Sequence, residues 1–174
     1  FAALTGLPEG LPVAVGAGDG ACAAHGARPH ERGAAYMNIG SSAWVSAMSD
    51  RPIMDRELRL FNYFDMDESC YNVCGTVQSG AAAFNWALDT LIALDDPAKK
   101  KDFAALEAMA RSVPAGANGV FFLPTLMGER TPWWTAKASG MLIGCTLYHR
   151  PEHILRAVYE GVMQALRFCG DILR

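Results

Sequence analysis

The residues most able to do chemistry lie near the start of the chain, where Val13-Ala14-Val15-Gly16-Ala17-Gly18-Asp19-Gly20 brings one carboxylate to a bend among small residues. The apolar run predicts a strand, and the glycines let backbone and ligand approach closely. Ala21-Cys22-Ala23-Ala24 predicts a helix over 21–27 that begins with almost no side-chain bulk. A carboxylate so placed fits two roles, a general base for a bound ligand or a cap on the following helix, and the local sequence leaves both open. Further on, Gly40-Ser41-Ser42 separates two predicted strands, 34–39 and 43–48, as a hairpin turn with two hydroxyls suited to a phosphate. Gly80-Ala81-Ala82-Ala83 opens a predicted helix over 78–94 whose small N-terminal residues, backbone N–H groups and dipole would favour an anion. Neither a Walker sequence nor a Gly-x-Gly-x-x-Gly fingerprint occurs, so a nucleotide phosphate would have to be held by such a composite.

Other candidate constellations read more simply. His149 and His153 have the four-residue spacing of a zinc pair, but Pro151 between them belongs at a helix entry and leaves His149 in the turn. Asp19 and His25 flank Cys22 yet would lie on different helical faces, and no charge nearby favours a thiolate. The acidic Asp65-Met66-Asp67-Glu68-Ser69 lacks the glycine and the later glutamate of a calcium loop and reads as a plain turn between strands 60–64 and 70–74. The five cysteines, an odd number without paired metal spacing, read as reduced core thiols. Lys99-Lys100-Lys101 reads as the solvated start of a helix beginning around Asp102.

The elements that would position these residues alternate in an α/β manner. After a polar turn over 28–33 and the strands just named, a helix over 103–112 stops before Pro114, and Val120-Phe121-Phe122-Leu123 reads as a buried strand. An irregular stretch, 124–138, holds Gly128-Glu129-Arg130-Thr131-Pro132-Trp133-Trp134, in which Glu129 and Arg130 are expected to form an internal ion pair shaping a functional loop. A short apolar segment lies between Gly140 and Gly144. Ile154, Leu155, Val158, Val162, Ala165, Leu166 and Cys169 then give the apolar face of a long helix from Pro151.

With 174 residues, 51% hydrophobic and 19% charged, the chain has material for one core and no run of membrane-spanning length. A net charge of −3 supplies no basic field for nucleic acid. A cytoplasmic protein is expected, without nucleic-acid or membrane partners, and a homodimer is left open. The chain begins at Phe1 and is expected to be an excised piece of something longer.

In this order, the segments resemble the FGGY family of carbohydrate kinases. Gly140-Met141-Leu142-Ile143-Gly144, a spacer and His153-Ile154-Leu155-Arg156-Ala157-Val158-Tyr159-Glu160 are similar to the family's second signature, apart from Cys145 where an aliphatic residue is usual. Gly128 to Pro132 looks like the Gly-Glu-Arg-Thr-Pro loop of the xylulose-kinase-like branch. The resemblance implies an actin-like, ribonuclease-H-like α/β fold with a mixed sheet flanked by helices, residues 1–174 forming most of the second domain. It makes Asp19 the catalytic base and, with Gly20, a sugar contact. Gly40, Ser41 and Ser42 become phosphate contacts, with Gly80, Ala81 and Asn85 bordering the nucleotide. ATP and Mg2+ are the implied cofactors and a sugar the acceptor, most simply D-xylulose, with gluconate or another sugar or polyol as the alternative. Gly20 stands where xylulose kinases usually have Asn and glycerol kinases Gln, so a side-chain contact to substrate is missing there. A noncatalytic sugar sensor and a different actin-like ATPase are the competing readings. Alone, the chain is expected to be inactive and to bind nucleotide at best weakly.

Overall fold

The structure is a computed structural model that describes residues 1–27, 33–66, 69–92 and 96–174. The expected turn over 28–33 lies outside the described residues except for Gly33, and Asp67 and Glu68 of the acidic loop lie outside them too. After a four-residue helix α1 (Ala2–Thr5) and α2 (Asp19–Ala27), β1 (Ala35–Ile39) and β2 (Ala43–Ser49) form the expected hairpin, with Ile39 opposite Ala43 and Ala35 opposite Ala47. β3 (Phe61–Phe64) and β4 (Tyr71–Val77) complete a four-stranded sheet in the order β1-β2-β4-β3. β5 (Phe121–Leu123) and β6 (Met141–Ile143) form a separate two-stranded ladder.

Behind the sheets runs α6 (Pro151–Ile172), started by the proline at its first turn. Leu155, Val158, Val162, Leu166 and Cys169 recur at intervals of three and four, so one stripe of the helix is buried against the sheets. Gly161 on this stripe backs onto the Phe122 carbonyl oxygen, where a Cβ would collide, so helix and strand pack at backbone distance. Leu155 also joins Leu88, Leu106 and Ala110 in a second cluster that docks α5 (Phe103–Arg111) onto α6. Truncating Leu155, fully buried between the two, would cost about 2–5 kcal/mol.

Several expectations are corrected. Val13 to Val15 is not a strand: no described strand pairs with it, and Val13 and Val15 are 82% and 93% exposed. An apolar run supplies strand propensity, but a strand also needs a ladder partner for its N–H and C=O groups. The ladders between the named strands are all antiparallel. The helix predicted over 78–94 begins as α3 (Ala81–Trp86) and widens into a π-helical turn, Ala87–Leu91. The helix expected around Asp102 is present as α5, but the three lysines are not its start. They end a short helix α4 (Pro97–Lys101), where cations complement the dipole, and the Asp102 carboxylate caps α5 by accepting from the Ala105 N–H. Only Cys74 and Cys169 are core thiols; Cys22 and Cys145 are exposed and Cys70 is half-buried.

Candidate active site

Asp19 is the first residue of α2, at the end of an exposed stretch without regular structure. Its Oδ1 accepts from the neighbouring Gly20 N–H at 2.9 Å, and Oδ2 has no hydrogen-bond partner among the described residues. This is not the cap two or three residues along that would have engaged the carboxylate structurally. What anchors it to the sheet is the next carbonyl. Gly20 O accepts from the Tyr36 hydroxyl of β1 at 3.0 Å and from Asn72 Nδ2 of β4 at 3.3 Å. Both donors are held in turn, since Trp44 Nε1 donates to the Tyr36 oxygen at 3.2 Å and the buried Ser46 hydroxyl pairs with the Asn72 side-chain oxygen. Because residues alternate faces along a strand, Trp44 and Ser46 of β2 meet Tyr36 and Asn72 of its neighbours on one face of the sheet.

The turn and the second helix are joined differently. Gly80 N donates to Ser41 O at 2.8 Å, Ala81 N to Gly40 O at 2.8 Å, and Ala82 N to Ser41 O at 3.2 Å. The N–H groups at the start of α3, expected to face an anion, are therefore spent on the carbonyls of the hairpin turn. Gly80 is needed for this contact: a Cβ there would lie 2.9 Å from the Ala43 Cβ, the Gly40 oxygen and the Ser42 carbonyl carbon. The side-chain hydroxyls of Ser41 and Ser42 carry no hydrogen bond among the described residues, so the turn spends its backbone on the fold and keeps its hydroxyls.

A cleft of about 320 Å³ brings Asp19, Gly20 and Ser42 together with Trp44, Tyr63 and Arg130. Gly40, Ser41, Gly80 and Ala81 are gathered beside it through the turn–helix bonds, while Asn85 sits exposed on α3 and does not line the cleft. Cys74 also lines it, but burial pushes its thiol up to about 12, so it is protonated at neutral pH and is no nucleophile. Burial likewise raises the Tyr63 phenol, with further pushes from Cys74 and Asp19 against a pull from Arg130.

The expected ion pair between Glu129 and Arg130 does not form. Glu129 bridges Thr135 through its N–H and carbonyl, Arg130 leads into a turn closed by Trp134, and Thr131 N donates to Thr76 O at 3.3 Å. Glu129 and Thr131 are buried while Arg130 is exposed, so the first two turn inward and Arg130 outward. Glu129 is 6% exposed, and its Oε1 accepts from the Gln78 and Arg130 backbone N–H groups, both at 2.8 Å. Burial raises its pKa, opposed by those two hydrogen bonds and by the Arg130 charge. The Thr131 hydroxyl donates to Arg59 O at 2.7 Å and accepts from Thr76 N at 3.1 Å, which fixes the segment to β4. Trp44, Tyr63 and Arg130 were not singled out as site residues by sequence reasoning, which marked only the loop that holds Arg130 as functional.

His149 and His153 make no metal pair. Their ring nitrogens pair with the Thr146 N–H, the Asn118 carbonyl, the Arg150 N–H and the Asn118 side chain. Among the described residues no group of three His, Cys, Asp or Glu side chains could hold a metal ion, and no helix is long and apolar enough to cross a membrane.

Residues 35–174 match the family model for the C-terminal domain of the FGGY family of carbohydrate kinases. The match takes in the hydroxyl turn, α3 and the 128–135 loop, while Asp19 and Gly20 precede it. Among curated relatives, a gluconokinase of Bacillus licheniformis is 31% identical over 95% of this chain and 33% of its own length. A xylulose kinase of Bacillus subtilis is 32% identical over 99% of this chain and 34% of its own. The chain thus spans about a third of the length of these relatives. The solved structure of a xylulose kinase from Rhodospirillum rubrum superposes with a TM-score of 0.79 at 34% identity, covering 95% of this chain and 32% of that one. That α/β architecture is the actin-like, ribonuclease-H-like one, and by the extent of the family match the chain belongs to the FGGY family of carbohydrate kinases.

Proposed function

We propose that this chain is most of the second domain of an ATP-dependent sugar kinase in which Asp19 is the general base. The observation that carries the reading is the unpartnered Asp19 Oδ2 in a cleft shared with the free hydroxyl of Ser42. Asp19 accepts the proton of the sugar hydroxyl as that oxygen attacks the terminal phosphorus of ATP, and the Ser41 and Ser42 hydroxyls donate to phosphate oxygens. Gly20, which carries no side chain, leaves room for the sugar beside the base. Gly40, Gly80 and Ala81 act by holding the turn in place, and Asn85 borders the nucleotide from α3. Mg2+ would be carried by the phosphates of ATP, whose negative charge it offsets. Catalysis then rests on positioning and charge stabilisation, with no covalent intermediate on the protein.

D-xylulose is the sugar favoured by the Gly128 to Pro132 loop. Gluconate is the second reading, supported by the equal similarity to the Bacillus licheniformis gluconokinase. Phosphorylation assays on the full-length protein across ketoses, polyols and sugar acids decide between them. Turnover of D-xylulose above the rest is the expected result, and preferred turnover of gluconate moves the assignment to a sugar acid. Sugar binding without any turnover would identify a sensor and overturn the kinase reading.

A further inference from the structure

We propose that Arg130 is the phosphoryl-oxygen ligand of the cleft, its guanidinium holding the group in transfer while Asp19 takes the proton. The inference rests on the kinase reading and adds a residue to it. Inward turning of Glu129 and Thr131 leaves Arg130 facing out, into the cleft that holds Asp19 and Ser42. The Arg130 guanidinium has no ion-pair or hydrogen-bond partner among the described residues; the same holds for Arg51, Arg56 and Arg174, but of these Arg130 alone lines the cleft. The adjacent carboxylate, Glu129, is already occupied by two backbone N–H groups, so it does not compete for the cation. Asp19 and Arg130 share the cleft without bonding to each other, and the Tyr63 phenol that lines it with them feels both charges. The attacking hydroxyl at Asp19 and the phosphate oxygens at Ser42 would converge in that space. A planar five-donor fork there matches phosphate oxygens in a way a point charge does not.

In the step itself the sugar oxygen bonds to the terminal phosphorus, and the bond from phosphorus to the bridging oxygen breaks. The electron pair leaves with ADP, and the hydroxyl proton passes to Asp19; nothing is oxidised or reduced. Charge on the three transferring oxygens peaks as they pass between donor and acceptor, and a fixed cation is worth most at that point. The backbone of Arg130 is prepared for this: its carbonyl accepts from Trp134 N at 2.6 Å, and Thr131 bonds both β4 and Arg59.

The test uses the complete kinase with Arg130→Gln and Arg130→Lys, measured with every sugar the wild type accepts. Arg130→Gln is expected to lower kcat by about 100- to 1,000-fold with all sugars alike. Sugar KM should move by less than about threefold, since uniform binding is not what is lost. Calorimetry should show affinity for ADP with aluminium fluoride falling far more than affinity for ADP, and Arg130→Lys should recover part of both losses. Turnover of Arg130→Gln within about twofold of wild type overturns the inference while leaving the kinase reading intact. A loss confined to sugar acids also overturns it, assigning the guanidinium to a substrate carboxylate. A wild-type protein that phosphorylates no sugar removes the kinase reading and this inference with it.

Discussion

The turn at 40–42 sits on α3 at backbone contact, with three N–H groups of the helix start spent on two turn carbonyls, whereas Asp19 ends an exposed, unpaired stretch and is held through one carbonyl. The first region has no slack: one added carbon at Gly80 meets three neighbours at once. The second has open space around it, and a Cβ at Gly20 would touch nothing within 4 Å. The phosphate side of the cleft is therefore set by packing and the base side by a few polar bonds, so the two should fail differently under mutation.

The sharpest way to break the base side is Asp19→Asn in the complete enzyme. It keeps the Gly20 N–H bond and removes the proton acceptor, and should lower kcat by about 100- to 10,000-fold with little change in sugar binding. Near-normal turnover would take Asp19 out of the base role. On the other side, Gly80→Val should act through folding, costing about 1–3 kcal/mol or more as turn and helix are forced apart. Denaturant midpoints compared with kcat in the folded fraction would separate this from a chemical defect.

Asn72→Ala tests whether the base depends on its anchor. It strips one donor from Gly20 O and leaves the buried Ser46 hydroxyl with the Val73 carbonyl alone, a loss of about 1–3 kcal/mol. Tyr36→Phe removes the other donor from a half-buried site and should cost about 0.5–1.5 kcal/mol. Both should depress kcat more than sugar KM, and an effect on stability alone would show that Asp19 needs neither.

The smallest effect concerns Glu129. Its folded pKa lies above the ordinary 4.5, so its contribution to stability is complete below that value and is lost as pH rises through the raised one. Glu129→Gln keeps an acceptor for both N–H groups and discards the buried charge. It should gain on wild type as pH rises from 4 towards 7, read as a narrowing or reversal of the difference in melting temperature. A constant difference across that range would mean the carboxyl is not perturbed in the fold.

The hairpin, α5 and α6 were legible in the sequence because each closes on neighbours in the chain or carries its own apolar period, as Leu155 to Cys169 do. Val13 to Val15 was misread because strand formation there depends on a partner that composition does not reveal. The candidate site was legible as residue types and only partly as geometry. Asp19 and Ser42 do share a cleft, but the donors at the start of α3 turn to Gly40 and Ser41, and no local signal says which acceptor a helix end will meet. Glu129 and Arg130 looked like an ion pair because opposite charges stand side by side, yet one is buried on backbone N–H groups and the other faces out.

That last geometry has a consequence for insertions and deletions. The sign of the charge presented at 129–130 is decided by parity. One residue inserted between Arg130 and Thr131, with Thr131 still fastened to Thr76 and the alternation of burial kept, would exchange the two environments. A carboxylate would then face Asp19 and a guanidinium would be driven into the interior. A two-residue change would instead conserve the polarity of the cleft, so in this loop the count of residues, odd or even, matters more than which residues are added.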